Sequence, residues 1–350
     1  MRPSVGAGGW RNLATRASEG APNPEAHATV SVALCTYNGV SYLSDQLESI
    51  ADQTVLPAEL VVCDDRSTDD TVALVESFAG SAPFPVRIHR NPENLGSTRN
   101  FEQAIGLCTG DLIALCDQDD VWRREKVARL QDSFVDPIVG FAFSDGDLID
   151  ASGRPTGVSL WMSMGFTPRR RKRFSGPHQF AELLRRNCVT GAAMAFRASL
   201  RPMILPLSPS IIQDKWISLL LAGLGLPGVA IPERLIGYRQ HAEQQVGAPP
   251  TSVSERFERK RSKLDRWLGD HIEALRALRD RLDALTPDGD GERVETRRLI
   301  DAKIEHLERR QRIRSRGYAG RVFPVISELL SSRYLRFSGS NRSAAVDLWS

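Results

Sequence analysis

Cysteine and long apolar runs are both scarce in this sequence. The five cysteines among 350 residues are an odd number without a C-x-x-C pair, which argues against a disulfide framework and favours a reducing compartment. The most apolar late stretch, residues 216–231, is shorter than the roughly 18 residues of a membrane span and predicts a buried helix followed by a strand. Residues 1–28 lack the apolar core of a secretory signal and predict a disordered leader. We therefore expect a cytoplasmic protein, with peripheral contact at the inner face of the plasma membrane as an open alternative.

Excess charge of either sign is also lacking. The 46 Lys and Arg side chains against 43 Asp and Glu leave a formal net charge of +3, which is too small to indicate a nucleic-acid partner, and we expect none. With 41% hydrophobic and 25% charged residues, the composition is ordinary for a folded globular protein. A chain of 350 residues can hold one large α/β domain and an appendage.

Short β-branched runs alternate with amphipathic segments from Thr29 onward, which is the pattern of a parallel α/β sheet. Strands are predicted at TVSVALC, ELVVCDD, VRIHR, LIALC and GFAFSDGDLID, and helices at SYLSDQLESIADQ, DDTVALVESFA, STRNFEQAIGLC and REKVARLQDSF. We expect Ser67 or Thr68 to cap the second of these helices, and Asp120 to cap the fourth.

The regular alternation weakens beyond residue 160. A basic loop at 167–177 is expected there, either as a solvated surface or as a contact for anionic lipid headgroups. The helix HQFAELLRRN, the strand CVTGAAMAFR, the helix SIIQDKWISLLLAGLG and a strand with an exit loop in ERLIGYRQHAEQQVG follow. Near residue 252 two long charged helices begin, and the turn TPDGDG between them predicts a helical hairpin. The predicted organisation is a leader at 1–28, an α/β domain at 29–247 and a helical extension at 252–350, whose hairpin is a candidate for homodimer formation or membrane contact.

Polar residues follow three predicted strands at the point where each strand ends. These are Thr36, Tyr37 and Asn38 after the first strand, Asp64 and Asp65 after the second, and DQDD at 117–120 after the fourth. Ligands of open α/β sheets bind beyond the carboxyl ends of the strands, so we expect one crevice lined by these residues. The pair Asp117 and Asp119 suits Mg²⁺ or Mn²⁺, which such carboxylates bind together with substrate phosphates. A single aspartate that caps the next helix is the plainer alternative.

Other candidates stand further along the chain. Asn94 and Gly96 lie in a tight turn before a helix, where a phosphate is favourable, and Arg99 could contact that phosphate or stay solvated. Asp214, at the start of an apolar helix, is a candidate general base, and a helix-terminal aspartate paired with the helix dipole is the alternative. His241 is a strand-end histidine that could contact a diphosphate or a metal.

Five segments together resemble the family-2 inverting glycosyltransferases with the GT-A fold. VSVALCTYNGVSYLSDQLESIADQT, ELVVCDDRSTDDT, NPENLGSTRNFEQAIGLCTGDLIALCDQDDVW, VTGAAMAFR and QDKW occur in this order within residues 29–247. The sequences DQDDVW, FSDGDLID and YRQH are most similar to the rhamnosyltransferase-like bacterial branch. The resemblance implies a GT-A domain, Rossmann-like with a mostly parallel sheet and flanking helices, divided into a nucleotide-binding half (29–120) and an acceptor half (121–247).

The resemblance also implies residue roles and a reaction. Thr36, Tyr37 and Asn38 would line the nucleotide, and Asp65 or Asp64 would bind uracil or thymine and the ribose. Asn94, Gly96, Arg99 and Asp117 are assigned to the nucleotide site, Asp119 and His241 to Mg²⁺ or Mn²⁺, Trp216 to the acceptor and Asp214 to the catalytic base. Gln213 stands where many relatives have His or Glu. The reaction would move rhamnose or another hexose from a UDP- or dTDP-sugar to a hydroxyl of a cell-surface glycan or lipid-linked acceptor, with inversion and without a covalent enzyme intermediate.

Two other functions fit parts of the sequence. Phosphatases of the haloacid-dehalogenase type also place D-x-D-x-[TV] after an apolar strand, with Asp117 as nucleophile and Asp119 as acid/base, but three strands precede the motif here and the Asp64-Asp65 pair has no use in that chemistry. A non-catalytic sugar-nucleotide-binding protein on the same fold is the second alternative. An Asp214→Asn variant separates an enzyme, which loses turnover and keeps nucleotide binding, from a protein that only binds.

Overall fold

The computed structural model describes residues 28–241, 253–286, 291–338 and 341–349. Within the helix that begins at Val253, side chains are described from Leu264 onward. The predicted leader, apart from residue 28, and the end of the predicted exit loop at 242–247 lie outside the described residues, as does most of the turn at 286–291.

The first half of the sheet is parallel, as predicted. Its strands are β1 (Val30–Thr36), β2 (Glu59–Asp64), β3 (Val86–Arg90) and β4 (Leu112–Asp117), connected by α1 (Val40–Ala51), α2 (Thr71–Ala79) and α3 (Ser97–Leu107). The spatial order is β3-β2-β1-β4, and each neighbouring pair is parallel. The apolar residues of β1, β2 and β4 are buried, because helices cover both faces of such a sheet.

The second half of the sheet continues from β4. It contains β5 (Val121–Trp122), α4 (Lys126–Asp132), β6 (Phe141–Ile149), β7 (Pro155–Ser159), α5 (Leu160–Ser163), α6 (Pro168–Phe174), α7 (Gln179–Arg185), β8 (Met194–Arg197), α8 (Arg201–Ile204), α9 (Gln213–Gly223) and β9 (Gly228–Arg239). The order runs β4-β8-β6-β9-β5, and β7 pairs with β6. The β8, β7 and β5 pairings are antiparallel, but most paired residues lie in parallel ladders, so the mostly parallel α/β fold is confirmed.

The structure corrects the prediction of a basic loop at 167–177, because most of this segment forms the helix α6. The Thr167 hydroxyl accepts a hydrogen bond from the Arg170 backbone N–H (3.4 Å), and proline occupies the first helical position. Arg170 and Arg173 form ion pairs with the buried carboxylate of Glu182 on α7. These two arginines therefore neutralise a buried charge.

The structure also corrects the prediction that Ser67 or Thr68 caps α2. Asp70 occupies the N-cap position, while the Ser67 hydroxyl donates to Asp64 on β2. The carboxylate of Asp69, one residue before the N-cap, accepts the Thr71 backbone N–H (3.1 Å) and so provides the capping hydrogen bond.

The C-terminal extension begins with the predicted hairpin. Its helices are α10 (Val253–Leu285) and α11 (Gly291–Arg314), and α12 (Tyr318–Leu330), α13 (Arg333–Phe337) and α14 (Arg342–Trp349) follow. The second hairpin helix ends before Gly317 rather than running to Arg321. Leu268, Leu275 and Leu278 of α10 belong to the same buried cluster as Leu219–Leu221 of α9, so the apolar row of α10 packs on the sheet domain. Among the described helices, none combines the length and the apolar character that crossing a bilayer requires.

Candidate active site

The carboxyl ends of β1 and β4 open into a cavity of about 600 Å³. Seven of the residues singled out in the sequence line it: Thr36, Tyr37, Asn38, Asp65, Asp117, Asp119 and His241. Ile212 and Gln213 contribute from the start of α9, and Tyr238 from the end of β9. The convergence of strand ends expected from the sequence is therefore present, and the later part of the chain completes the wall.

Asp65 organises the turn that precedes α3. Its carboxylate accepts the backbone N–H of Leu95 (2.7 Å) and of Gly96 (2.8 Å), and the Asn94 amide donates to the Asp65 carbonyl (3.2 Å). Gly96 has a φ of 80°, a conformation that glycine adopts without strain. Asn94 and Gly96 therefore shape the wall through Asp65, whereas the Arg99 side chain is exposed and outside the cavity lining.

Asp64 has a different position from its neighbour. Its buried carboxylate accepts the Thr36 hydroxyl (2.9 Å) and the Ser67 backbone N–H (2.8 Å), and it does not line the cavity. The nucleotide contact expected for Asp64 is therefore corrected to a supporting one, in which this carboxylate fixes Thr36 at the end of β1.

Gln118, between the two aspartates of the D-x-D pair, has a contact that the sequence did not reveal. Its amide accepts the Tyr37 backbone N–H (2.8 Å) and donates to the Tyr37 carbonyl (3.0 Å). A Cβ atom on Gly39 would lie 2.1 Å from the Gln118 Oε1 atom, so a larger residue there would displace the Gln118 amide from these hydrogen bonds. This double hydrogen bond joins the loop after β4 to the loop after β1.

Asp119 and His241 form a pair on one side of the cavity. Asp119 Oδ2 lies 2.8 Å from His241 Nε2, and the imidazole packs against Tyr42 with ring centroids 4.6 Å apart. Asp117 is half-buried, and desolvation together with the charges of Asp119 and Asp214 raises its pKa to about 7. A cation at this position would relieve the repulsion between these carboxylates.

The donor set fits a divalent metal that is only partly coordinated by protein. Among the described residues, no three His, Cys, Asp or Glu side chains are grouped closely enough to hold a metal. Asp119 and His241 together offer a carboxylate and an imidazole, and His241 Nδ1 is buried without a hydrogen-bond partner in the described part of the chain. Mg²⁺ typically takes one or two carboxylates and completes its shell with water and substrate phosphates.

A buried arginine that sequence reasoning missed holds the acidic loop. The Arg239 guanidinium donates to the Asp119 carbonyl (2.7 Å) and forms an ion pair with Asp45 of α1 (2.8 Å). The Arg239 backbone N–H donates to Asp120 Oδ1 (3.0 Å). Asp120 therefore does not cap α4, whose N-cap is Glu125; that expectation was wrong because the partner of Asp120 lies 119 residues away.

Asp214 stands in the first turn of α9 and is buried. Its Oδ2 atom accepts the Gly191 backbone N–H (3.0 Å), and its Oδ1 atom accepts the Asn187 amide (3.4 Å). Burial raises the pKa of Asp214 to about 6, and these hydrogen bonds and the Lys215 charge limit the rise. A carboxylate with this pKa can accept a proton near neutral pH.

Trp216 requires a correction. Its indole is buried in the core and donates to the Ile204 carbonyl (2.9 Å), and it does not line the cavity. Trp216 is two residues beyond Asp214 on α9, which rotates it by about 200° around the helix axis and points it away from the aspartate. Gln213, the immediate neighbour of Asp214, lines the cavity instead.

Comparison with known proteins defines the class of this domain. Residues 31–201 match the family described as Glycosyl transferase family 2, a span that contains Asp65, Asp117 and Asp119 and ends before Asp214. Residues 31–201 are therefore a glycosyl transferase family 2 domain.

Two curated relatives are similar over part of their length. Abequosyltransferase RfbV from Salmonella typhimurium is 30% identical over 133 residues, which are 37% of this chain and 38% of the relative. The dTDP-rhamnosyl transferase RfbG from Shigella flexneri is 33% identical over 106 residues, which are 29% of this chain and 37% of the relative. The matched region thus spans less than two fifths of each of these relatives.

Two solved structures share the fold over nearly the whole chain. Residues 1–349 of TarS from S. aureus, in complex with UDP-GlcNAc, align with a TM-score of 0.57 and 16% identity, covering 92% of this chain and 89% of that one. The mannosyltransferase PcManGT from Pyrobaculum calidifontis, in complex with GDP-Man and Mn²⁺, aligns with a TM-score of 0.50 and 16% identity, covering 97% and 91%. These likenesses confirm the predicted GT-A type of fold.

Proposed function

We propose that this chain is a metal-dependent inverting glycosyltransferase. It moves rhamnose or another hexose from a UDP- or dTDP-sugar to a hydroxyl of a cell-surface glycan or lipid-linked acceptor. The observation that carries the proposal is one cavity, in a glycosyl transferase family 2 domain, that brings together Asp65, Asp117 and Asp119. Asp214 is buried and does not itself line the cavity, but it directly follows Gln213, which does, and its charge acts on Asp117; we assign it the role of the base.

The donor nucleotide fits the side of the cavity formed by β1 and β2. Asp65 offers carboxylate oxygens to base and ribose donors, and its contacts to the backbone of Leu95 and Gly96 hold it in place before a ligand arrives. Tyr37 is 44% exposed and presents an aromatic ring at the cavity wall. The similarity to a dTDP-rhamnosyl transferase favours a dTDP-sugar as the first donor to test.

Asp119 and His241 would hold Mg²⁺ or Mn²⁺ near the donor diphosphate. A cation bound there supplies charge neutralisation of the diphosphate as it leaves the sugar. Arg239 keeps Asp119 in position through the Asp119 carbonyl, and Asp117 adds a second carboxylate beside it.

Asp214 would take the proton of the acceptor hydroxyl. Its hydrogen bonds to Gly191 and Asn187 fix the carboxylate before the acceptor binds, and burial keeps it a stronger base than an exposed aspartate. Attack by that hydroxyl on the face opposite the diphosphate inverts the anomeric centre, and no enzyme nucleophile is required.

The test is a variant that removes the carboxylate of Asp214 and keeps the size of the side chain. Asp214→Asn should lower transfer about 10²–10⁴-fold, because it removes a general base and retains an acceptor for the Gly191 N–H. Transfer and donor hydrolysis are measured with a panel of UDP- and dTDP-sugars and Mg²⁺ or Mn²⁺, and nucleotide affinity is measured by calorimetry. Asp270→Asn, at an exposed aspartate of α10, is the matched control and should behave as wild type.

Two results decide between the transferase and a protein that only binds. An Asp214→Asn variant that binds nucleotide and lacks turnover supports the transferase. Wild-type protein that binds nucleotide but neither transfers nor hydrolyses any donor in the panel would indicate a non-catalytic binding protein. The phosphatase alternative receives no support, because Asp117 and Asp119 lie inside the glycosyl transferase family 2 domain.

A further inference from the structure

The helix α12 has its polarity inverted relative to an ordinary surface helix. Its two charged residues, Arg321 and Glu328, are buried, whereas most of its large apolar residues face solvent and only Val325 and Leu329 pack inward. Phe323 is 80% exposed and Leu330 is 82% exposed. The remaining members of the exposed apolar face are Tyr318, Val322 and Ile326. A surface helix of a soluble protein normally directs its apolar stripe toward the core.

Specific polar contacts hold α12 in this orientation. The Arg321 guanidinium donates to the carbonyls of Arg314 (2.9 Å) and Arg316 (2.8 Å) at the end of α11. The Glu328 carboxylate pairs with His306 Nδ1 (3.0 Å) and with Arg333 (3.0 Å). Because these buried contacts would be lost on rotation of the helix, the exposed apolar face is a fixed feature of the fold.

The exposed side chains of α12 form one continuous surface. At 100° per residue, the five exposed apolar positions named above fall within an arc of about 140°. Trp349, at the end of α14, is 65% exposed, and its ring centroid lies 5.4 Å from that of Tyr318. We call the exposed large apolar residues of α12 together with Trp349 the apolar face.

The exposed charges on the chain segment that carries the apolar face are of one sign, and the neighbouring carboxylates Asp265 and Glu305 are held in ion pairs with Arg314 and with Arg309 and Arg333. The exposed charged side chains in the described residues after Gln311 are all arginines: Arg312, Arg316, Arg336 and Arg342. The two acidic residues of this region, Glu328 and Asp347, are buried in ion pairs. The surface therefore combines an uncharged apolar strip with exposed positive charge.

We propose that the apolar face is a membrane-docking surface, which lies in the headgroup region of a bilayer that contains anionic lipid. Helices that bind in the plane of a bilayer insert Phe, Leu and Trp side chains below the headgroups and place Arg and Lys near lipid phosphates. A second copy of this chain is a poorer partner, because it would bring a second set of arginines against the first. Docking does not depend on the proposed transferase activity, since a vesicle-binding measurement involves neither donor nor acceptor.

The experiment measures binding of the full chain to vesicles. Wild-type protein is sedimented with vesicles of phosphatidylglycerol and phosphatidylcholine, and with phosphatidylcholine alone, at low and high salt. We expect binding to the anionic vesicles that weakens with salt. The double variant Phe323→Ser/Leu330→Ser should bind about tenfold or more weakly. Arg316→Gln/Arg336→Gln should lose about fivefold for each arginine.

Matched controls carry the same chemical changes elsewhere. Val135→Ser alters a valine that is 83% exposed outside the extension, and Arg154→Gln removes an exposed arginine near β7. Both should bind vesicles as wild type does. Since all of these side chains are exposed, thermal unfolding by circular dichroism should be nearly unchanged and confirm that each variant is folded.

Three outcomes would overturn the proposal. The first is a wild-type chain that binds neither vesicle, and the second is a set of apolar-face variants that bind as wild type does. The third is a dimer, seen by light scattering, that Phe323→Ser/Leu330→Ser converts to a monomer without any vesicle binding, which would assign the face to a second copy.

Discussion

At the scale of single residues, burial has its clearest chemical consequence at Asp214. A buried carboxylate resists ionisation, so the pKa of Asp214 rises to about 6. We expect kcat/KM to fall about tenfold per pH unit below that value, because a general base must be deprotonated. The pH dependence of kcat/KM is measured at saturating metal, so that a loss of bound metal at low pH does not contribute to the decrease. Asp270→Asn should retain the same limb, and an acidic limb near pH 4 would show that Asp214 is not the titrating base.

Asp119 and His241 carry the second prediction at this scale. Because they lie 2.8 Å apart and face the same cavity, each should contribute to metal binding. Asp119→Asn and His241→Gln should each weaken Mn²⁺ binding in the presence of UDP by about tenfold or more. The measurement is electron paramagnetic resonance of free Mn²⁺, with Asp270→Asn as the control. Wild-type affinity in both variants would exclude this pair as the metal ligands.

The residues that line the cavity differ in how far the sequence reveals them. Asp65, Asp117 and Asp119 were predictable because each follows an apolar strand, and parallel strands end at one edge. Arg239 was not, because its partner Asp45 is 194 residues away and nothing in the local sequence indicates a buried arginine. Trp216 was misassigned by the resemblance, although its position two residues after Asp214 places it on another side of the helix.

At the scale of elements, the extension packs on the helix that carries Asp214. Leu278 of α10 is fully buried in the cluster that includes Leu219 and Leu220 of α9. Leu278→Ala should lower the free energy of unfolding by about 2–5 kcal/mol, measured by urea unfolding with tryptophan fluorescence. Val294→Ala, at a valine of α11 that is 47% exposed, should change it by less than about 0.5 kcal/mol. Equal effects of the two variants would contradict packing of α10 on the domain.

The strands and helices were predictable where burial determines the spacing of apolar residues along the sequence. The strands β1, β2 and β4 are apolar runs because both of their faces are covered, and α10 shows Leu and Ile at helical spacing because one side packs on the domain. The helix α6 was missed because its run of arginines suggested a solvated loop. Its signal was present in Thr167 followed by proline, a cap and a first helical residue.

At the scale of the whole molecule, one core joins the sheet domain and the hairpin. The same buried cluster contains residues of β1, β4, α9, α10 and α11, so we expect these elements to unfold in one transition. The three helices after the hairpin are different, since Ile313, Val325, Tyr334 and Ala344 form a small cluster of their own. Asp347 holds that cluster through Arg310 (2.6 Å) and the Tyr334 hydroxyl (2.8 Å).

This division predicts two levels of stability in one chain. Amides of α12, α13 and α14 should exchange with solvent at a lower free energy of opening than those of α9 and α10, because a small cluster supplies less apolar burial. Native-state hydrogen exchange by mass spectrometry measures both groups in one sample. Asp347→Asn weakens the ion pair with Arg310 and should speed exchange in α12–α14 while leaving α9 unchanged. If the variant speeds exchange equally in α9, the extension and the domain form a single cooperative unit, and the small cluster has no independent stability.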